Sequence, residues 1–350
     1  MEGPAALTPP SGGLFLFGTV LARRRERRHY TDRAVVKRLV LASPRGYCAG
    51  VERAVDILER ALELHGPPVY VRKQIVHNAH VVREFEERGA VFVDDEGDVP
   101  PGATVVFSAH GVAPSVYANA GSRRLETIDA TCPLVSKVHA EARHYAARGF
   151  AVILIGHAGH EEVEGTMGEA PGSIVLVETV EDAERVSPPQ TERLAYVTQT
   201  TLSVDDTREI VETLRRRFPG IQAPKKEDIC YATTNRQRAV KRLLRRVDLL
   251  LVIGSRNSSN SNRLVEVARA GGVAAHLIDD ERGIDEAWLE GVETIGVTAG
   301  ASVPESLVSR VVSWFCDRGV TDVDTVDAGR EDVAFRLPPG LRAAAARPVT

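Results

Sequence analysis

The 350-residue chain carries 44 Lys and Arg against 48 Asp and Glu, a formal net charge of −4 and a pI near 6.2, which excludes the dense cationic surface that binds nucleic-acid phosphates. No apolar run reaches the ~18–20 residues that cross a bilayer, and four cysteines far apart in a chain without export features do not make a disulfide framework. At roughly 100–200 residues per domain, two or three units are expected. The early apolar stretch at 14–21 is short, and its basic cluster follows it, so the secretory pattern is absent and a cytoplasmic location is expected.

In chain order, residues 1–36 read as an unstructured leader. Its basic run at 23–29, RRRERRH, has no interleaved aromatics and reads as a solvated tail. A strand follows at 38–43 (RLVLAS). The first of three similar units spans 37–130. Cys48 opens a helix, RGYCAGVERAVDILERAL, with Val51, Ala54, Val55, Leu58, Ala61 and Leu62 on one face. The strand PVYVRK then runs into the polar loop IVHNAH, and VVFSAHG ends a later strand. The second unit, 131–228, repeats this grammar. Cys132 opens ATCPLVSKVHAEARHYAARG, the strand AVILIG leads into HAGHEEVEGT, and LAYVTQTTLS follows. In the third unit, 229–336, Cys230 opens a helix with Ala239, Val240, Leu243, Leu244 and Val247 on one face. LLLVIG then leads into SRNSSNSNR, and TIGVTAGASVP follows. Residues 337–350 read as a tail.

Alternating helices and apolar strands imply an α/β protein of three similar modules, each with a parallel-rich sheet, in a pseudo-threefold arrangement around a central site. The strand at 38–43 is a candidate to join the sheet of module 3. Ligands of such sheets bind beyond the carboxyl ends of the strands, so the six polar loops and three cysteines should converge.

A thiolate at a helix N-terminus is favoured by the helix dipole. Three of them a module apart lack the short local spacings of zinc sites. They suit a [4Fe–4S] cluster with Cys48, Cys132 and Cys230 as ligands and one open iron. Cys316 has no such context. The loops add His77, His160, Glu162, Ser258, Ser259 and Asn260, then His110, Thr200 and Ser302. Neutral donors and imidazoles in this number fit a compact anion. Glu162 is the candidate proton donor, with Thr200 to orient the proton. His157 and His160 with a nearby carboxylate form an alternative zinc set, although no HExxH spacing is present. His139 and His144 read as surface or packing residues, and His29, His65 and His276 lack polar company. His80 is a lesser candidate for the pocket. No GxGxxG or P-loop cradles a nucleotide. Electrons are therefore expected from a ferredoxin- or flavodoxin-type partner, with no nucleic acid or membrane involved.

These residues stand in PRGYCAGVERA, VHNAHVV, FSAHGV, DATCPLV, ILIGHAGHEEVEGTMG, TQTTLSVDDT, KEDICYATTNRQ, GSRNSSNSNRL and VTAGASVPE. Over about residues 38–336 the chain resembles the 4-hydroxy-3-methylbut-2-enyl diphosphate reductase (IspH/LytB) family. The resemblance implies an iron–sulfur reductase of the non-mevalonate isoprenoid pathway. Its reaction is a two-electron, two-proton reductive dehydroxylation giving isopentenyl and dimethylallyl diphosphates. It implies Cys48, Cys132 and Cys230 as cluster ligands. His77, His110, Ser258, Asn260 and Ser302 would hold the diphosphate, with Ser259 and His160 lining its site. Glu162 would lie on the proton path, and Thr200 would contact the substrate hydroxyl. The family commonly has proline where Glu161 stands. The rival readings are a non-catalytic iron–sulfur sensor and a zinc-dependent phosphate-ester hydrolase.

Overall fold

Parallel pairing organises the computed structural model, which describes residues 36–342. The expected leader and its basic run lie outside the described residues, apart from the buried Val36, as do residues 343–350 of the expected tail. The first elements are β1 (Arg38–Ser43), α1 (Ala49–His65), β2 (Val69–Arg72), α2 (Ala79–Glu87), β3 (Ala90–Val93), β4 (Thr104–Phe107), α3 (Pro114–Ser122) and β5 (Glu126–Asp129). Next come α4 (Pro133–Ala147), β6 (Ala151–Ile155), α5 (Glu161–Met167), β7 (Ile174–Val177), α6 (Val180–Arg185), β8 (Leu194–Thr198) and α7 (Val204–Arg217). The last are α8 (Tyr231–Leu243), β9 (Leu249–Ile253), α9 (Ser259–Ala270), β10 (Ala274–Ile278), β11 (Thr294–Ala299), α10 (Glu305–Cys316), β12 (Asp322–Asp327) and α11 (Pro339–Arg342).

The strands form three separate sheets, ordered β10-β9-β11-β1-β12, β3-β2-β4-β5 and β7-β6-β8. Every named pairing is parallel, so the expected three-module α/β architecture is the observed one. Each sheet contains the same motif, a first strand flanked by the second and third strands of its own module (β3-β2-β4, β7-β6-β8, β10-β9-β11). Chain order reverses at that first strand, and the crevice beyond its carboxyl end is where parallel sheets bind ligands. Strands β6 (AVILI), β8 (LAYVT) and β9 (LLLVI) are buried at every residue, as expected of sheets covered on both faces.

β1 pairs with β11 on one side and β12 on the other, within the sheet of the last module. Strand β12 was not foreseen. Its sequence, DVDTVD, alternates exposed and half-buried positions and has no apolar run. It is an edge strand, tied to β1 by Arg38, whose guanidinium lies 3.2 Å from Asp322 and 2.8 Å from Asp324. Such long-range pairing leaves little trace in local sequence. In the expected tail, Leu341 of α11 is buried against α1 residues such as Ile57 and Leu58.

Candidate active site

Each of the three cysteines is the N-cap of a helix: Cys48 of α1, Cys132 of α4 and Cys230 of α8. Their carbonyls accept from the amides of Glu52, Ser136 and Thr234, closing the first turn in each case. Their own amides point the other way. Cys48 N donates to Ala301 O (3.2 Å), Cys132 N to Ala109 O (2.9 Å) and Cys230 N to Thr200 O (3.0 Å). Those three carbonyls lie in the loops after β11, β4 and β8, so one bond recurs at equivalent places in all three modules. The spacing is tight. A Cβ on Gly50 would stand 2.6 Å from Cys132 Sγ and 3.8 Å from Cys48 Sγ, so a glycine is required where α1 passes the second cysteine.

Twelve of the residues singled out from the sequence line one cavity: Cys48, Cys132, Cys230, His77, His110, His160, Glu162, Thr200, Ser258, Ser259, Asn260 and Ser302. Side-chain cross-links join the modules around it. Ser302 Oγ donates to His77 O (2.8 Å), Thr201 Oγ donates to Ser259 Oγ (3.1 Å), and His110 Nδ1 lies 3.2 Å from Glu161 Oε2. The rings of His77 and His110 stack at 3.9 Å with 17° between planes, and His160 meets both edge-on at 5.5 and 5.9 Å. Burial, followed by the neighbouring imidazoles, lowers His77 to about 2 and His160 to about 4. These values hold the two rings neutral at pH 7, and a bound anion would favour their charged forms. Beside them Asn260 is 5% exposed, and neither its Oδ1 nor its Nδ2 has a hydrogen-bond partner. A buried orphan amide facing a cavity marks the place of a polar ligand.

Glu162, near the start of α5, is 2% exposed. One oxygen accepts from Thr200 N (2.7 Å) and the other from Thr200 Oγ (2.9 Å). Burial raises its carboxyl to about 6 against the pull of those two bonds, so near neutrality it exchanges readily between acid and base. His160 caps the same helix, its Nδ1 accepting from Glu162 N at 3.1 Å, and this fixes the first turn of α5. His157 is engaged elsewhere, with Arg263 Nη2 2.9 Å from its Nε2. His80 pairs with Asp280 at 3.1 Å and is not among the cavity residues. His139 is buried, 2.8 Å from Glu169.

The donor geometry corrects the expectation of a [4Fe–4S] cluster on three cysteine ligands with one open iron. Among the described residues, the group whose ligand atoms all lie within 4.8 Å of one another is His77, His110 and Glu161, not Cys48, Cys132 and Cys230. Desolvation also works against the preformed thiolates that the helix N-termini were expected to supply. Burial pushes the thiol of Cys132 up to about 12 and that of Cys230 up to about 11, and outweighs the amide hydrogen bonds at the helix N-termini that were expected to yield thiolates. The sulfur of Cys230 is moreover occupied as an acceptor from Thr233 N at 3.4 Å.

Several residues at the site had no signal in the sequence. Arg236, the largest fully buried side chain, reaches from α8 to the carbonyls of Gly46 and Tyr47, just before Cys48, and pairs with Glu331 at 3.0 Å. Tyr231 Oη accepts from Ala49 N at 3.1 Å. Phe335, from the irregular segment after β12, closes one apolar side of the cavity. Each acts across modules, which periodicity within one segment does not reveal.

The LytB protein family matches residues 39–315. The chain is 62% identical over 307 residues to the 4-hydroxy-3-methylbut-2-enyl diphosphate reductase of Acidothermus cellulolyticus, covering 87% of this chain and 90% of that one. It is 57% identical to the protein of the same name from Nocardia farcinica, covering 89% and 93%. Among solved structures, the E-1-hydroxy-2-methyl-but-2-enyl-4-diphosphate reductase of Plasmodium falciparum superposes with a TM-score of 0.86 at 39% identity. That match covers 89% of this chain and 98% of that one.

Proposed function

This chain belongs to the LytB family, and from that premise we propose how its cavity carries out the reductive dehydroxylation of 4-hydroxy-3-methylbut-2-enyl diphosphate to isopentenyl and dimethylallyl diphosphates. The enzyme is an oxidoreductase of iron–sulfur type, and such a group supplies single electrons to the reaction. The C–O bond to the hydroxyl breaks, two electrons and two protons enter, and water leaves.

The single observation that carries the assignment of positions is the buried, unpartnered amide of Asn260 on the wall it shares with His77, His110, Ser258 and Ser302. These five hold the diphosphate, and Ser259 and His160 line its rim. Apolar side chains of the lining, Val135 and Phe335 among them, suit the five-carbon chain. The hydroxyl then lies toward the Glu162–Thr200 pair. Thr200 orients it, and Glu162, whose carboxyl is raised to about 6, delivers the proton that lets it leave as water. The electron donor is a small ferredoxin- or flavodoxin-type protein, and the setting is the cytoplasm, where such donors meet a charged substrate. Modules at 37–130, 131–228 and 229–336 each contribute two loops to the site.

The test is anaerobic turnover of the allylic diphosphate with a reduced donor, products read by mass spectrometry, in the wild type and in Asn260→Ala. The wild type should yield both isomers, and N260A should raise KM by about tenfold or more, the cost of losing a buried hydrogen-bonded anchor. An unchanged KM in N260A would remove the diphosphate from this wall.

A further inference from the structure

Among the cross-links that join the modules around the cavity, one is made by Glu161. Glu161 Oε2, on the first turn of α5, lies 3.2 Å from His110 Nδ1 and accepts from Ser108 Oγ at 3.3 Å, and Ser108 Oγ is itself 3.3 Å from that ring nitrogen. An ionised carboxylate only accepts, so the hydrogen between the two residues sits on Nδ1. Glu161 is not one of the cavity-lining residues, whereas His110 is.

We propose that Glu161 is a positioning residue for the diphosphate: from the second module it fixes the tautomer and orientation of His110, leaving Nε2 as the nitrogen presented to the cavity. The stacked ring of His77, 3.9 Å away, is held in turn by the ring it rests on. One carboxylate behind the wall thus orders two imidazoles in it, as partners behind the ligand shell orient histidines elsewhere. The inference rests on the reading of His110 as a diphosphate ligand.

The experiment measures binding of inorganic pyrophosphate by calorimetry, and KM and kcat for the allylic diphosphate, in wild type, E161A, E161Q and H110A. E161A should bind pyrophosphate about tenfold or more weakly, on the scale of lost orienting partners. Its KM should rise in step, with kcat changed less than about threefold. E161Q should stay within about threefold of wild type, because its amide oxygen accepts the same N–H. Imidazole ¹⁵N shifts, assigned to His110 by difference with H110A, should show the Nδ1–H tautomer dominant in wild type and E161Q but mixed in E161A. If H110A is weakened while E161A binds as wild type, this inference is overturned and the diphosphate site stands. If H110A also binds as wild type, both fall. Equal losses in E161A and E161Q would overturn it too, because charge rather than ring orientation would then be the cause.

Discussion

The carboxyl of Glu162 is answered by dipoles, the amide and hydroxyl of Thr200, and these do not fully offset its burial. Glu162→Gln keeps the shape and removes the proton, so turnover should fall about 10²-fold or more while pyrophosphate affinity holds; steady-state kinetics with calorimetry on the same preparation checks both. The raised carboxyl also has a sign for stability. Its folded value of about 6 lies above the ordinary carboxylate value of 4.5, so the folded state binds the proton more tightly. This contribution is complete below pH ~4.5 and is lost as pH rises through ~6, a difference on the order of 2 kcal/mol. Urea midpoints of wild type relative to E162Q should therefore fall between pH 4.5 and 7.5, and a constant gap would contradict the assignment. Glu162 could be picked out from its sequence because it stands in a dense polar run. The pairing of Glu161 with His110, 51 residues away in the chain, could not, because only packing of two modules brings them together.

At the scale of elements, the helices were the most legible part of the chain. Each cysteine precedes a clear 3.6-residue apolar pattern, and the observed N-caps fall on those three positions. Edge strand β12 was hidden, since its polar alternation gains a partner only once β1 is in place. Two substitutions test the joints between elements. Gly50→Ala would normally favour a helix by up to about 1 kcal/mol. Here the new Cβ meets Cys132 Sγ at 2.6 Å, so G50A should lose activity and alter thiol-labelling rates at Cys132. Arg236→Met removes the charged partner of Glu331, which keeps only the amide of Asn235, and takes the guanidinium donor from the carbonyls of Gly46 and Tyr47. It should cost about 3 kcal/mol or more, on the scale of a broken buried ion pair, read from chemical denaturation.

Over the whole molecule, the repeated 2-1-3 strand order sets three switch points around one cavity. Equal spacing of similar segments made the three modules foreseeable. The irregular segment that follows β12 was less so, because it is held by single contacts: Glu331 to Arg236, Arg336 O to Arg53, and Leu341 in the core. A chain ending before Glu331 should retain the three sheets, with a raised KM and a stability lowered by the combined loss of a buried leucine, about 1.5–3 kcal/mol, and of the Arg236–Glu331 pair, about 3 kcal/mol or more. Far-ultraviolet circular dichroism and kinetics on that variant separate the two effects.

The pairing of β1 with β11 also sets a timetable for synthesis. Lys37, at the edge of β1, bonds Glu293, 256 residues further on, so β1 leaves the ribosome long before the strand beside it. The two sheets encoded between them can close from nearby sequence while β1 is still unattached. A nascent chain stalled before residue 294 would therefore hold the sheets of two modules and an open third, with the shared cavity still lacking one wall.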